Sequence, residues 1–260
     1  MLVTGMSNND RKMQRLLTRG LLLPCGGLVV LWTMFALPSF RLTVPARDVA
    51  ARIVADERFK RGILPGALAR METVKRPLML QAEFSKAEAL LMLRTTEEAI
   101  QQQAPEEGDR GIEGAQQKVI AALFVNPSDS FLWLMLYSVE TARSGFGPEK
   151  VGLLDLSYAV GPLEGWIAIR RNRLALAIFP MLRDDIQRAA VSEFAELVDS
   201  DFIEEAANNL TGVGWSIRER LLSELVEVDI TSRQALAKRL SSNGIKLAIP
   251  GIKTDERPWR

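Results

Sequence analysis

The chain has 260 residues, with 33 Lys and Arg against 32 Asp and Glu, no histidine and one cysteine. That balance supplies no broad basic field for a nucleic-acid backbone, and one cysteine permits no disulfide framework. Without histidine, Ser-His-Asp and Cys-His catalysis and every histidine-ligated zinc or haem site are excluded.

Residues 1–19 form a basic tail in which Arg11, Lys12, Arg15 and Arg19 are opposed only by Asp10. Residues 20–40, GLLLPCGGLVVLWTMFALPSF, contain no charge. As a helix they would rise about 30 Å, enough to cross a bilayer, whereas the apolar part of a cleaved signal is about 7 to 15 residues long. The stretch therefore predicts a transmembrane helix, against the alternative of a buried core helix. Met34 and Ala36 do not make a small-residue cleavage pair, and Leu22-Leu23-Pro24 offers no small residue ahead of Cys25 for lipid attachment. Cys25 reads as an ordinary apolar residue of the span. Arg41, Arg47 and Arg52 weaken the charge asymmetry, but long downstream domains are translocated largely regardless of charge. The expectation is a single pass through a bacterial inner membrane, amino terminus cytoplasmic and body periplasmic.

From Val44 onward apolar residues recur at three and four positions, and no run of alternating β-branched residues is present. The fold class expected is all-α, with a helical domain over 41–244 and an extended tail over 245–260. Pro45 suits the first turn of a helix to about Lys60, with Val49, Ala50 and Ile53 on one face. Leu64-Pro65-Gly66 predicts a break before a short helix over 67–76, closed by Pro77. A longer helix follows over 79–103, with Phe84, Ala87, Leu91 and Ile100 as its core face. Residues 104–114, with Pro105 and four acids, read as a solvated loop.

Ala115, Val119, Ala122, Leu123 and Pro127 then fall at the spacings of the second helix of a tetratricopeptide repeat, and Trp133 and Leu136 where the next repeat begins. The segment from about 110 to 160 resembles that family. Val119 stands where an aromatic is common, Tyr137 where a small residue is usual and Glu140 where tyrosine is usual. The resemblance implies stacked antiparallel helix pairs rather than a regular array. GPLEGWIAIRRN, residues 161–172, echoes NPSDSFLW at 126–133, so two helix pairs are each expected to open with a buried tryptophan. With the anchor, these junctions resemble single-pass helical-repeat proteins encoded beside surface-polysaccharide genes in alphaproteobacteria.

Gly145-Phe146-Gly147-Pro148 turns the chain into a helix to Val160. Asp184 and Asp185 suit the positive end of a helix whose face is Ile186, Ala190, Phe194 and Leu197. A shorter helix spans 202–210. Ser216 with Glu219 and Thr231 with Gln234 have capping-box spacing, and Asn243-Gly244 stops the last helix.

No catalytic, cofactor or metal-ligating set emerges. Gly145-x-Gly147 and Gly212-x-Gly214 lack the Gly-Lys-Ser/Thr and the strand of a phosphate loop. The acidic pairs Glu106-Glu107, Asp184-Asp185 and Glu204-Glu205 point about 100° apart on a helix, so no pair faces one substrate from two sides. Arg233, Lys238 and Arg239 on the last helix are too few for a DNA reader. Trp133 and Trp166 read as packing residues before sugar platforms. Arg170, Arg171 and Arg173, the densest basic cluster of the body, and Trp259 form the candidate partner surface. The functional expectation is a membrane-anchored scaffold or assembly protein holding other envelope proteins, in envelope or polysaccharide biosynthesis. The alternative is a glycan-acting enzyme with carboxylates from separate helices.

Overall fold

A computed structural model describes residues 20, 22, 24–34, 47–53, 57, 59, 60, 62–73, 82–101, 105–162 and 164–252. The described residues hold helices and no strand, so the fold is all-α. The basic tail 1–19, the ends of the apolar stretch at 35–40, the break at Pro77 and the terminus with Trp259 lie outside them. Two compact units are present, Met1–Thr95 and Thr96–Arg260.

In the first unit, residues 24–34 are helical, and Leu22, Leu28, Val29, Val30, Leu31, Trp32 and Met34 are all exposed. Among the described residues no helix is long and apolar enough to cross a membrane. Residues 47–53 are helical, whereas Phe59 and Lys60 are not, so the helix expected to Lys60 stops short. Helix α1 spans Ile63–Thr73 and takes in the expected Leu64-Pro65-Gly66 break. Proline is tolerated in a first turn, where its missing N–H has no intrahelical partner to lose. Helix α2 spans Ala82–Gln101. Its Phe84 and Ala87 are buried against Ala50 and Met71, and Leu91 is buried one turn on.

Ile100, expected in that core face, is instead 49% exposed. Nine residues beyond Leu91, at about 100° each, place it on the opposite side of α2. In the second unit the buried position near the end of α2 is Thr96. Gly111 faces it so closely that a methyl group there would lie 2.6 Å from the threonine hydroxyl.

Helix α3, Pro105–Val125, replaces the loop expected over 104–114. Proline preset at the first helical position outweighs the local turn signals. Its Ala115, Val119, Ala122 and Leu123 are buried. Helix α4, Ser130–Ser144, begins after Asp129, whose carboxylate accepts from the Phe131 and Leu132 N–H groups. It runs antiparallel to α3: Gln116 Nε2 donates to Glu140 Oε1 at 2.5 Å, and Arg143 Nη1 to Gln116 Oε1 at 2.5 Å. Phe131, Leu132, Leu134, Met135, Leu136, Tyr137 and Val139 are all buried, so α4 is covered nearly all round and forms the centre of the unit.

A 3₁₀ turn at Pro148–Lys150 leads into α5, Val151–Val160. Lys150 Nζ closes the carboxyl end of α4, donating to the Glu140 carbonyl at 3.0 Å, to Ser144 Oγ at 2.7 Å and to the Gly145 carbonyl. Helix α6 spans Gly165–Ala177 and α7 spans Asp184–Asp199, with the expected Ile186, Ala190, Phe194 and Leu197 all buried. Helix α8 is Ile203–Thr211, α9 is Arg218–Glu224 and α10 is Ile230–Ser242.

Neither expected capping box forms. A 3₁₀ turn, Trp215–Ile217, occupies the position of Ser216, and the cap of α10 is Asp229, whose carboxylate accepts from the Thr231 N–H at 2.6 Å. Asn243 and Gly244, at φ 77°, do stop α10. The expected extended tail is pinned at its start, with Ile249 buried and Arg233 Nη1 donating to the Pro250 carbonyl at 2.7 Å.

Candidate functional site

The three arginines expected to form one surface are split by the structure. Arg171 is 0% exposed and occupies the middle of a polar hub. On α6 it shares the buried face with Ile167, Ala168, Asn172, Ala175 and Leu176, the spacing of a helix seam. Its Nε and Nη2 donate to Glu193 Oε1 at 2.9 and 2.6 Å. Its Nη1 reaches Ser130 Oγ at 3.0 Å, the Ser157 carbonyl at 2.8 Å and the Gly161 carbonyl at 2.9 Å. The guanidinium also lies 4.1 Å over the Tyr158 ring.

Around it Ser130 and Ser157 bond reciprocally, each hydroxyl donating to the other's carbonyl at 2.9 Å. Tyr158 donates to Glu193 Oε2 at 2.7 Å. Asn172 Nδ2 donates to the Ala190 carbonyl at 2.8 Å and its Oδ1 accepts from Asn209 at 3.1 Å. One arginine thus ties α4, α5, α6 and α7, and the neighbouring asparagines extend the hub to α8. At Gly161 a side chain would collide with Ser130, so glycine there permits the close approach. Burial raises the Glu193 carboxyl above the usual range despite the opposing Arg171 charge, and burial with Glu193 raises Tyr158. With its polar side chains paired and buried, the hub is a structural lock.

What remains outside is a stripe on the opposite face of α6. Trp166, Arg170 and Arg173 stand four and three residues apart, on adjacent turns of one helix side. Trp166 is 39% exposed and leans on buried Phe131, with ring centroids 4.7 Å apart and planes tilted by 54°. Arg170 is half-buried, its guanidinium 6.0 Å over the same Phe131 ring. Arg173 is exposed. Among the described residues neither Arg170 nor Arg173 has a carboxylate partner. A rigid helix therefore presents an aromatic ring and two cations, backed by a buried aromatic, and Trp259 lies outside the described residues.

Neither tryptophan is buried as expected. Trp133 is half-buried, its indole N–H donating to the Pro127 carbonyl at 2.8 Å. The fully buried aromatic of the junction is Phe131, about 200° around α4 from Trp133. Of the three basic residues on α10, Arg239 pairs with Glu204 at 3.0 Å and Arg233 holds the Pro250 carbonyl, while Lys238 stands exposed. Asp184 and Asp185 stand exposed in the first turn of α7, with Arg183 bridging Asp185 at 3.0 Å and Asp155 at 3.2 Å. Ile120 and Phe124, the latter 91% exposed, are one helical turn apart on α3 and add an apolar spot that spacing alone did not single out. Compared with protein-family models, with curated proteins and with solved structures, the chain finds no match.

Proposed function

We infer that the protein is a membrane-anchored helical scaffold, of the kind that stacks helix pairs as tetratricopeptide-like units do. Residues 20–40 anchor it to the bacterial inner membrane, with the amino terminus cytoplasmic and the body periplasmic. The α6 stripe holds an acidic face of another envelope protein, in the machinery that builds the envelope or its polysaccharide. The observation that carries this reading is the Trp166, Arg170 and Arg173 stripe on a helix locked from behind by Arg171. Tryptophan and arginine are the residue types that concentrate binding energy at interfaces, and a preorganised helix loses little entropy on binding. The exposure of apolar Leu22, Leu28, Val29, Val30, Leu31, Trp32 and Met34 supports the anchor. Exposed apolar side chains of this kind are what a lipid environment covers.

The test is charge reversal on the stripe. Arg170→Glu with Arg173→Glu, in full-length protein at native level, should abolish co-purification of an envelope partner from crosslinked membranes while leaving the helical circular dichroism unchanged. Retention of the same partner by the reversed protein would overturn the surface. Hydrolysis of an envelope glycan by the purified protein would overturn the scaffold.

A further inference from the structure

A groove of about 370 Å³ lies on the second unit between α7 and α9, lined by Arg188, Ala189, Val191, Ser192, Arg220 and Glu224. It shares no residue with the α6 stripe. Arg220 is built into its wall. Its Nη1 donates to Gln187 Oε1 at 3.0 Å, and Gln187 Nε2 is itself held by the Leu182 carbonyl at 3.0 Å. The guanidinium lies 5.1 Å over the ring of buried Phe179. Arg188 is steered by its Nε donating to the Asp184 carbonyl at 3.3 Å, one turn back on α7. Among the described residues neither arginine has a carboxylate partner and Glu224 has no cationic one.

An arginine fixed by a neutral amide and an aromatic face keeps its remaining N–H donors oriented and uncompensated, the geometry that receives a carboxylate. Ser192 adds a hydroxyl to the same groove. Glu224 on the same wall can accept an N–H from the same ligand, which a peptide offers and a phosphate chain does not. The lining has no aromatic ring for a sugar face to stack on, and Val191 and Ala189 contribute its apolar part. Arg188, Arg220 and Glu224 are all exposed, so the groove is too open to enclose a small molecule and suits a chain that passes through it. We propose that the α7/α9 groove binds an acidic peptide segment of a partner protein, with Arg188 and Arg220 receiving its carboxylate and Glu224 accepting from its backbone amide.

The probe is a dye-labelled, end-capped hexapeptide of alternating Glu and Ala, titrated by fluorescence anisotropy against the full-length protein in detergent. Its Gln-for-Glu counterpart is the charge control. Saturable binding is expected, weakened at least about tenfold by Arg220→Gln and by Arg188→Gln, and by the Gln peptide to a similar degree. Arg173→Gln should leave it unchanged, which separates this site from the α6 stripe. Thermal melts of each variant identify any that lose binding by unfolding, and Arg188→Gln, whose only described side-chain bond is to a backbone carbonyl, provides the intact test. Absence of saturable binding, wild-type binding by both arginine variants, or loss with Arg173→Gln would overturn the proposal. Stronger competition by an oligogalacturonate than by unlabelled peptide would assign the groove to an anionic glycan instead.

Discussion

Replacing Arg171 by methionine exchanges the guanidinium for an apolar chain of similar reach, so little cavity is created and the change is mainly electrostatic. It removes the two bonds to Glu193 and the four to Ser130, the Ser157 carbonyl and hydroxyl, and Gly161, leaving the Glu193 carboxylate 1% exposed with only Tyr158 and its neighbours for compensation. Breaking one side of a buried ion pair costs about 3 to 5 kcal/mol. For a unit of this size that lowers the melting temperature by roughly 6 to 20 °C. The loss should also depend on pH. Burial already raises the folded-state pKa of Glu193, and Arg171 is the largest opposing influence, so its removal raises that pKa further. A carboxyl with a raised folded pKa is penalised progressively as pH climbs through that value, and carries no penalty below its unfolded one. The deficit of Arg171→Met should therefore be widest at neutral pH and smallest near about pH 4, around the ordinary glutamate range. Melting of the purified protein in mild detergent, followed by far-ultraviolet circular dichroism at both pH values, measures it. A neutral-pH shift under about 2 °C, or an equal deficit at both pH values, would refute the reasoning.

Other perturbations separate the elements. Phe131→Ala should cost about 3 to 5 kcal/mol by emptying a fully buried ring, and Trp133→Ala distinctly less because its ring is half-buried; denaturant titration of both gives the order. Lys150→Met should cost about 1 to 3 kcal/mol by uncapping α4, visible as faster amide exchange at Glu140 through Ser144 than elsewhere in that helix. The Asp229 carboxyl is held below its usual range by its bonds to Thr231, so its contribution is complete above that range and fades as pH falls through the lower folded value. The melting difference between wild type and Asp229→Ala should accordingly narrow on acidification. For topology, Cys25→Ala with Ser242→Cys places one thiol on an exposed residue. A membrane-impermeant maleimide should label it in intact spheroplasts, and labelling only after lysis would reverse the orientation.

Helical periodicity made the class and most helices of the second unit legible. The α7 face of Ile186, Ala190, Phe194 and Leu197 could be read directly, because its apolar residues repeat at one helix period. The same period carried a missed signal. Arg171 and Asn172 lie in register with Ile167, Ala168, Ala175 and Leu176, and Glu193 with Ile186, Ala190 and Leu197. Basic density drew attention to Arg170, Arg171 and Arg173 together, although helix phase separates the middle one from its neighbours. Helix α3 was hidden by its glycines and Pro105, whose turn signals are local, whereas burial of Ala115, Val119 and Ala122 is a tertiary gain. The capping-box spacings at Ser216 and Thr231 misplaced their helix starts because a 3₁₀ turn and Asp229 satisfy those ends instead.

The central claim, that the α6 stripe holds an envelope partner, is tested most directly by photocrosslinking in living cells. A benzoylphenylalanine placed at Trp166 and, separately, at Arg173 should give the same adduct, and a companion Arg170→Glu change should abolish it. The same probe at Ser242, on α10, should not form it. An adduct that survives Arg170→Glu, or that forms equally from Ser242, would contradict the account.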